Sequence, residues 1–333
     1  MKLDFDVLVL GGSLEGCVAA AVAADAGKQV VLIENSGSLG GMATNGLWSY
    51  FPSSDPQYSL SPTGKAIKSE ILHALELEDT EGPMLYNDQR MKVILAEMLL
   101  KRGVTLLTHV FLSSPIVEGS ILKGFNVRGK TGNMALIASW TVDATDCVLT
   151  AGCLDYDTVQ AKKAATLAIK MNGADLSAII DSSNAIQFTS PDHVVGNIKC
   201  SFSWSHNDRL LYTDELVFLG DKAGEELIIH GLKADVDDID PLALSSLQMS
   251  LRQGAYRLLA QLRKEKPGFS CARIIHVAQK MDLSGLRYAA GALPYVNLIL
   301  CNEGSQRYDN NRAMWLGARA ARKLTSSGLG GIL

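Results

Sequence analysis

Phe5–Leu10, "FDVLVL", is a short apolar run that stops at Gly11 and Gly12. Apolar continuity over that length predicts a buried strand. The small-residue run "CVAAAVAADAG" follows and predicts a helix, with Gly27 as its C-terminal stop. "QVVLIE" predicts a second buried strand that ends on Glu34. Strand, helix and strand within about 30 residues make one β-α-β unit.

Further along, "NSGSLGGMATNG" (Asn35–Gly46) and the Ser-, Pro-, Tyr- and Asp-rich residues 48–62 read as loops. "TGKAIKSEILHALEL" and "NDQRMKVILAEMLLKRG" have helical periodicity, the second with Asn87 as N-cap and Gly103 as stop. "VTLLTHV" predicts a strand. Turn signals at Glu118-Gly119 and Gly129–Gly132 predict a small antiparallel meander, after which "WTVDAT" returns to the main sheet. From about 155 to 265 the character changes to mixed strands, "AIQFTS" and "LIIHGLKADV", and one long helix, "PLALSSLQMSLRQGAYRLLAQLRKE". "PYVNLILCNEG" predicts a last buried strand, and "NNRAMWLGARAARKL" a closing helix capped by Asn310 or Asn311. The expected fold class is α/β. A Rossmann-type domain spans residues 1–155 and 268–333, and an inserted mixed β/α substrate or cap domain spans 156–267.

Composition narrows this picture. The chain has 333 residues, 47% apolar and 20% charged, which suits a globular protein with a substantial core. A net charge of −4 with no clustered basic face argues against nucleic acid as a partner. Lys2 followed by apolar residues imitates a signal peptide, but Asp4, Asp6 and Glu15 interrupt the run. No apolar stretch reaches transmembrane length, so no membrane is expected. The six cysteines are scattered, with no CxxC pair, which points to a reducing cytoplasm. His193 and His206 are isolated, and no ligand spacing for a metal occurs.

The chemistry begins at "VLVLGGSLEGCVAA". Gly11, Ser13 and Gly16 stand where such a turn needs a tight bend, a close backbone approach to pyrophosphate, and helix–strand packing. Gly12 keeps local freedom, and the Ser13 hydroxyl is a candidate phosphate donor. Helix N-termini attract phosphate through free N–H groups and the dipole. Glu34, about 20 residues on, sits where an acid accepts from ribose hydroxyls, and argues against a 2′-phosphate.

The stretches "DVLVLGGSLEGCVAAAVAADAGKQVVLIE", "LGGMATNG", "VILAEMLLKRGVTLLTHV", "WTVDATD", "DIDPLALSSLQMSLRQGAYRLLAQLRKEKPGFSCARIIHVAQKMDLSGLR" and "NLILCNEG" resemble the FAD-dependent oxidoreductase family of the glutathione-reductase-like, GGMAT-loop type. The resemblance covers roughly two-thirds of the chain and is poor between about 155 and 235. It implies FAD as cofactor. Gly11, Gly12, Ser13, Gly16 and Glu34 would hold its ADP half. Gly40, Gly41 and Met42 would approach it closely. Val110 would meet adenine by backbone contact, and Ala144 and Thr145 would line the pyrophosphate. Asn302 and Glu303 would reach the ribityl chain and diphosphate, and the closing helix near Asn310 and Asn311 would face the flavin ring. Departures from the family pattern are Asp146 after "DAT", Cys301-Asn302-Glu303 on the last strand, and "GARAAR" (Gly317–Arg322) in the closing helix. Each puts bulk or charge where a cofactor atom could sit.

Within "CARIIHVAQKMDLSGLR", Arg273 and Arg287 are candidates to bind a substrate carboxylate or to stabilise charge on a reduced flavin; ordinary ion pairing is the alternative. His276 is the third catalytic candidate, against a satisfied core histidine. Trp204, His206 and Tyr212 read as strand packing before a stacking surface, and Cys147 and Cys153 as buried thiols before a redox pair. The first functional reading is a FAD-dependent oxidoreductase that moves a hydride between a small organic substrate and flavin, in a cleft between the two domains. A homodimer is compatible with it. The second reading is a degenerate flavoprotein fold, with weak or no FAD binding, in a structural or regulatory role.

Overall fold

The computed structural model describes residues 2–53, 55–79, 83–145, 149–154, 157–160, 164–189, 192–206, 209–222, 226–236, 238–283, 287–289, 293, 295–301 and 308–326. The chain forms two compact units. The first comprises Met1–Thr44, Phe51–Ala161 and Ser284–Leu333, the second Asn45–Tyr50 and Lys162–Leu283.

In chain order, β1 (Lys2–Leu10), α1 (Leu14–Asp25) and β2 (Val30–Glu34) come first, then β3 (Tyr50–Phe51), α2 (Pro62–Ala74), β4 (Met84–Leu85), α3 (Asp88–Lys101) and β5 (Thr105–Thr108). β6 (Phe111–Glu118), β7 (Ile121–Gly129) and β8 (Gly132–Asp143) lead to α4 (Leu149–Leu154) and β9 (Thr158–Gln160). β10 (Ala164–Asn172), α5 (Leu176–Ser182), β11 (Ala185–Thr189), β12 (His193–His206), β13 (Arg209–Asp221), β14 (Glu226–Asp235), α6 (Pro241–Glu265) and β15 (Arg273–Val277) follow. β16 (Arg287–Ala289), β17 (Leu298–Leu300) and α7 (Asn310–Ser326) complete the order.

The main sheet of the first unit has the order β5-β2-β1-β8-β7-β6, with β17 also along β8. β1 is parallel to β2 and β8, and β2 to β5, while β6, β7 and β8 form the antiparallel meander. "WTVDAT" is no separate return: β8 is one strand that closes the meander on one side and pairs with β1 on the other. Val7–Leu10 and Val30–Ile33 are buried because elements cover both faces of a parallel sheet. The register sets Leu10 opposite both Ile33 and Asp143. The C-terminal ends of β1, β2 and β8 are therefore level.

α1 is built from small residues so that α7 can approach it. A Cβ on Gly317 would lie 2.3 Å from the Glu15 carbonyl oxygen and 2.9 Å from the Val18 Cβ. Ala318, Ala320 and Ala321 are buried on the same helix. "GARAAR" thus reads as a packing stripe. Its arginines do not add charge to a buried seam: Arg319 lies over the Trp315 ring, 5.0 Å from the centroid, and Arg322 is exposed. The cap of α7 also differs from expectation. Asp309 accepts from the Arg312 amide at 3.0 Å, while the Asn311 side chain donates to the Pro52 carbonyl and Asn310 to the Tyr86 hydroxyl. An asparagine whose NH₂ faces neighbouring acceptors is turned away from the capping role.

The second unit is an antiparallel sheet of order β11-β12-β13-β14-β10-β15. It runs past the expected boundary at 267, because β15 pairs with β10 and α6 lies between them in sequence. α6 buries Leu247, Leu251, Leu258 and Leu262, and a Cβ on its Gly254 would lie 2.9 Å from Leu211 Cδ1. Trp204 packs at that glycine, and the Tyr212 hydroxyl donates to Asp235 at 2.9 Å. Burial pushes the His230 imidazole down to about 4, opposed in part by its hydrogen bond to the Leu47 carbonyl.

Three outcomes are expected. Gly317→Ala should lower stability by about 2 kcal/mol in denaturant unfolding, since overpacking outweighs the helix-propensity gain. Val93→Ala, 55% exposed on α3, should change it by less than about 0.5 kcal/mol. For His230, the unfolded chain takes up a proton that the folded chain refuses. Its contribution is therefore complete above about pH 6.5 and is lost as pH falls towards 4, to the order of 3 kcal/mol. Melting temperatures across that window should fall more steeply for the wild type than for His230→Phe.

Candidate nucleotide-binding turn

The level strand ends bring three backbone turns together. Gly11 follows β1 with φ +95°, a conformation that glycine adopts without strain. A Cβ there would lie 2.8 Å from the Ala144 carbonyl oxygen, and one on Gly16 would lie 2.1 Å from that of Gly11. Side chains at either position would force β1, α1 and β8 apart.

Glu34, at the end of β2, organises the turn. Its Oε2 accepts from the Gly12 amide at 2.7 Å, and its Oε1 from the Ser36 amide at 2.7 Å. Gly40 donates to the Gly12 carbonyl at 2.7 Å and pairs with Ser13 in an isolated parallel bridge. The GGMAT loop is thus laced to the first turn. Leu39 roofs Gly12, where a Cβ would fall 2.6 Å from Leu39 Cδ2. The Cys17 thiol donates to the Gly12 carbonyl at 3.6 Å, and burial, with the Glu34 charge, pushes it up. It stays protonated as a packing residue.

Ser13 differs from its expected use. It is the N-cap of α1, accepting from the Gly16 amide at 3.2 Å, and its O–H donates to the Ala144 carbonyl at 2.9 Å. A hydroxyl carries one proton. With that proton on Ala144, the side chain does not donate to a phosphate. Ala144 lies beneath the turn, and both the amide and the hydroxyl of Thr145 donate to Asp143. Met42 is buried and turns its side chain into the protein. Val110 donates its amide to the Glu34 carbonyl at 3.1 Å and buries its side chain in the core.

The structure therefore brings together Gly11, Gly12, Ser13, Gly16, Glu34, Gly40, Gly41, Met42, Val110, Ala144 and Thr145. Asp146, Cys147, Asn302 and Glu303 lie outside the described residues, as does the side chain of Arg287. Arg273 is exposed at the start of β15, and His276 follows on the same strand, both in the second unit; Arg287 starts β16 in the first. Among the described residues no His, Cys, Asp and Glu side chains group as metal ligands, and no helix is long and apolar enough to cross a membrane. Leu39 is the contributor that motif spacing missed; an apolar residue beside paired glycines was its only signal.

The turn fits an ADP-containing ligand. Each Glu34 oxygen accepts one protein hydrogen bond, whereas a carboxylate offers about four acceptor positions. Glu34 is only half-buried, and the positive end of α1 is beside it.

Residues 6–287 match the FAD-dependent oxidoreductase family. The chain belongs to that family. FAD is its cofactor. Solved structures share the fold of this FAD-dependent oxidoreductase at low identity. The p-nitrophenol 4-monooxygenase PnpA of Pseudomonas putida DLL-E4 has a TM-score of 0.63 at 14% identity, over 100% of this chain and 81% of that one. A geranylgeranyl bacteriochlorophyll reductase-like protein of Thermoplasma acidophilum has 0.58 at 14%, over 98% and 79%. The myxobacterial chondrochloren halogenase CndH, described as a variant of FAD-dependent halogenases, has 0.57 at 13%, over 99% and 76%. No curated protein matches the sequence.

Ser13→Ala separates capping from phosphate binding. It should cost about 1 kcal/mol in urea unfolding. FAD affinity should change by less than about threefold, a fraction of the 1.4 kcal/mol that a tenfold change requires.

Proposed function

We propose that the chain is a flavoenzyme, of the glutathione-reductase-like type, that oxidises or reduces a small organic substrate by hydride transfer. The Glu34 carboxylate carries this reading. Two backbone amides fix it at the mouth of the turn, and its remaining lone pairs suit vicinal ribose hydroxyls. The amide-rich start of α1 suits the diphosphate. When bound, FAD supplies the redox chemistry, and the protein supplies binding, orientation and exclusion of water.

In this reading Gly11, Gly12, Gly16 and Gly40 keep the backbone close to the cofactor. The Ser13 and Gly41 backbones and the Val110 carbonyl face it, with Asn302 and Glu303 at its ribityl and diphosphate end. Arg273 or Arg287 would pair with substrate or cofactor negative charge, and His276 would hold or move a proton.

The test is FAD titration of the full chain, followed by quenching of flavin fluorescence. Glu34→Gln presents an NH₂ group to amides that need an acceptor, so affinity should fall about tenfold to a hundredfold, or roughly 1.4–2.8 kcal/mol. Unchanged affinity in that variant would remove the assignment of Glu34. A wild-type chain that takes up no FAD would leave the fold with a structural or regulatory role.

A further inference from the structure

α6 has 25 residues and lies wholly in the second unit. Its inner face is built from Leu247, Leu251, Leu258 and Leu262, which are buried where the helix meets β10, β13, β14 and β15. A helix packed on one side is expected to be polar on the other. α6 is not. Leu242, Met249 and Tyr256 are 84%, 61% and 63% exposed. They recur every seventh residue, so they stand in one row along the helix. Met249 is two residues from both Leu247 and Leu251, and Tyr256 is two from Leu258. At about 100° per residue, two residues turn the row to the far side of the helix from the leucines.

Exposed apolar residues scattered singly need no explanation. A row at a constant repeat, opposite the core face, does. Met and Tyr are also enriched at protein–protein interfaces. The borders of the row are uncharged: Ser245, Ser246, Gln253 and Ala260 are all exposed. Between Asp240 and Arg257 the only charged residue is Arg252, and its guanidinium is turned to the Ala278 carbonyl at 3.2 Å.

Charge gathers at the two ends instead, with opposite signs. Asp235, Asp238 and Asp240 are exposed at the start. Arg257, Arg263 and Lys264 are exposed towards the end, where Glu265 is the one acid. This distribution suits the dipole of α6 itself. It also makes the outer face of α6 complementary to a reversed copy of itself.

We propose that a second copy of the chain covers this row, with the two α6 helices antiparallel about a two-fold axis at Met249. In such an interface the same patch meets itself, so contacts come in reciprocal pairs. Met249 packs on Met249 of the second copy, and Leu242 on Tyr256 of the second copy. The acidic start of each helix then lies along the basic end of the other, at both ends of the seam. A parallel pair would set acid on acid and base on base. Exposed ion pairs add little affinity. Their part is to fix orientation and register. A seven-residue repeat suits a shallow crossing of about 20°, with the small Ser245, Ser246 and Ala260 side chains leaving room for the larger ones.

The experiment is sedimentation velocity on the full chain, which should be dimeric at about 100 µM. Met249→Lys sets two like charges on the axis and should weaken self-association at least about a hundredfold. The position faces outward, so far-UV circular dichroism should be unchanged. Orientation is read from single cysteines in a Cys271→Ser background, since Cys271 is itself exposed. Met249→Cys should give a disulfide-linked dimer on mild oxidation. Leu242→Cys alone should not, because its two copies lie about 21 Å apart along the seam, and a disulfide spans Cα atoms no more than about 7 Å apart. Mixing Leu242→Cys with Tyr256→Cys chains should restore the link. A wild type that stays monomeric, a dimer that Met249→Lys leaves intact, or a link between two Leu242→Cys copies would each overturn the proposal. If Met249→Lys does not fold, the wild-type mass and the cysteine links decide.

Discussion

The carboxylate of Glu34 is the point on which the first unit's turn depends. It lies at the end of β2, yet its two oxygens hold amides on either side of it in sequence, Gly12 from the first turn and Ser36 from the loop ahead. A charged acceptor with two amide donors makes a strong, directional tie. That tie fixes the Gly12 backbone, and the Gly12 carbonyl in turn takes the Gly40 amide. Turn, strand end and GGMAT loop thus behave as one piece. A preorganised site loses less freedom when its ligand arrives.

Much of this was legible in the sequence because it rests on local pattern. Val7–Leu10 and Val30–Ile33 read as buried parallel strands, the alanine run as a helix, and Glu34 as the residue that ends the second strand. What was not legible depends on residues far apart in the chain. The Ser13 hydroxyl seemed available to phosphate because nothing local reveals the Ala144 carbonyl that claims its proton. The arginines of "GARAAR" read as charge at the cofactor until α7 turned Gly317 and its alanines onto α1 and left Arg319 and Arg322 outside. Asp309 displaced the asparagines as helix cap because Pro52 and Tyr86 draw their side chains away.

The second unit shows the same division. "LIIHGLKADV" read as a strand, and β14 contains it. The glycine within that run was the available signal of the register slip between β10 and β14. The partners of His230 were not readable, since Trp48 arrives from a segment more than a hundred residues upstream. β15 joined this sheet through pairing with β10, a long-range contact that no local periodicity encodes.

Amide hydrogen exchange by NMR on the flavin-free chain tests most directly whether Glu34 preorganises the turn. The Gly12 and Ser36 amides should already be protected before any FAD is added, and Glu34→Gln should release both. Rapid exchange of these two amides in the flavin-free wild type, with protection gained only on adding FAD, would contradict the account.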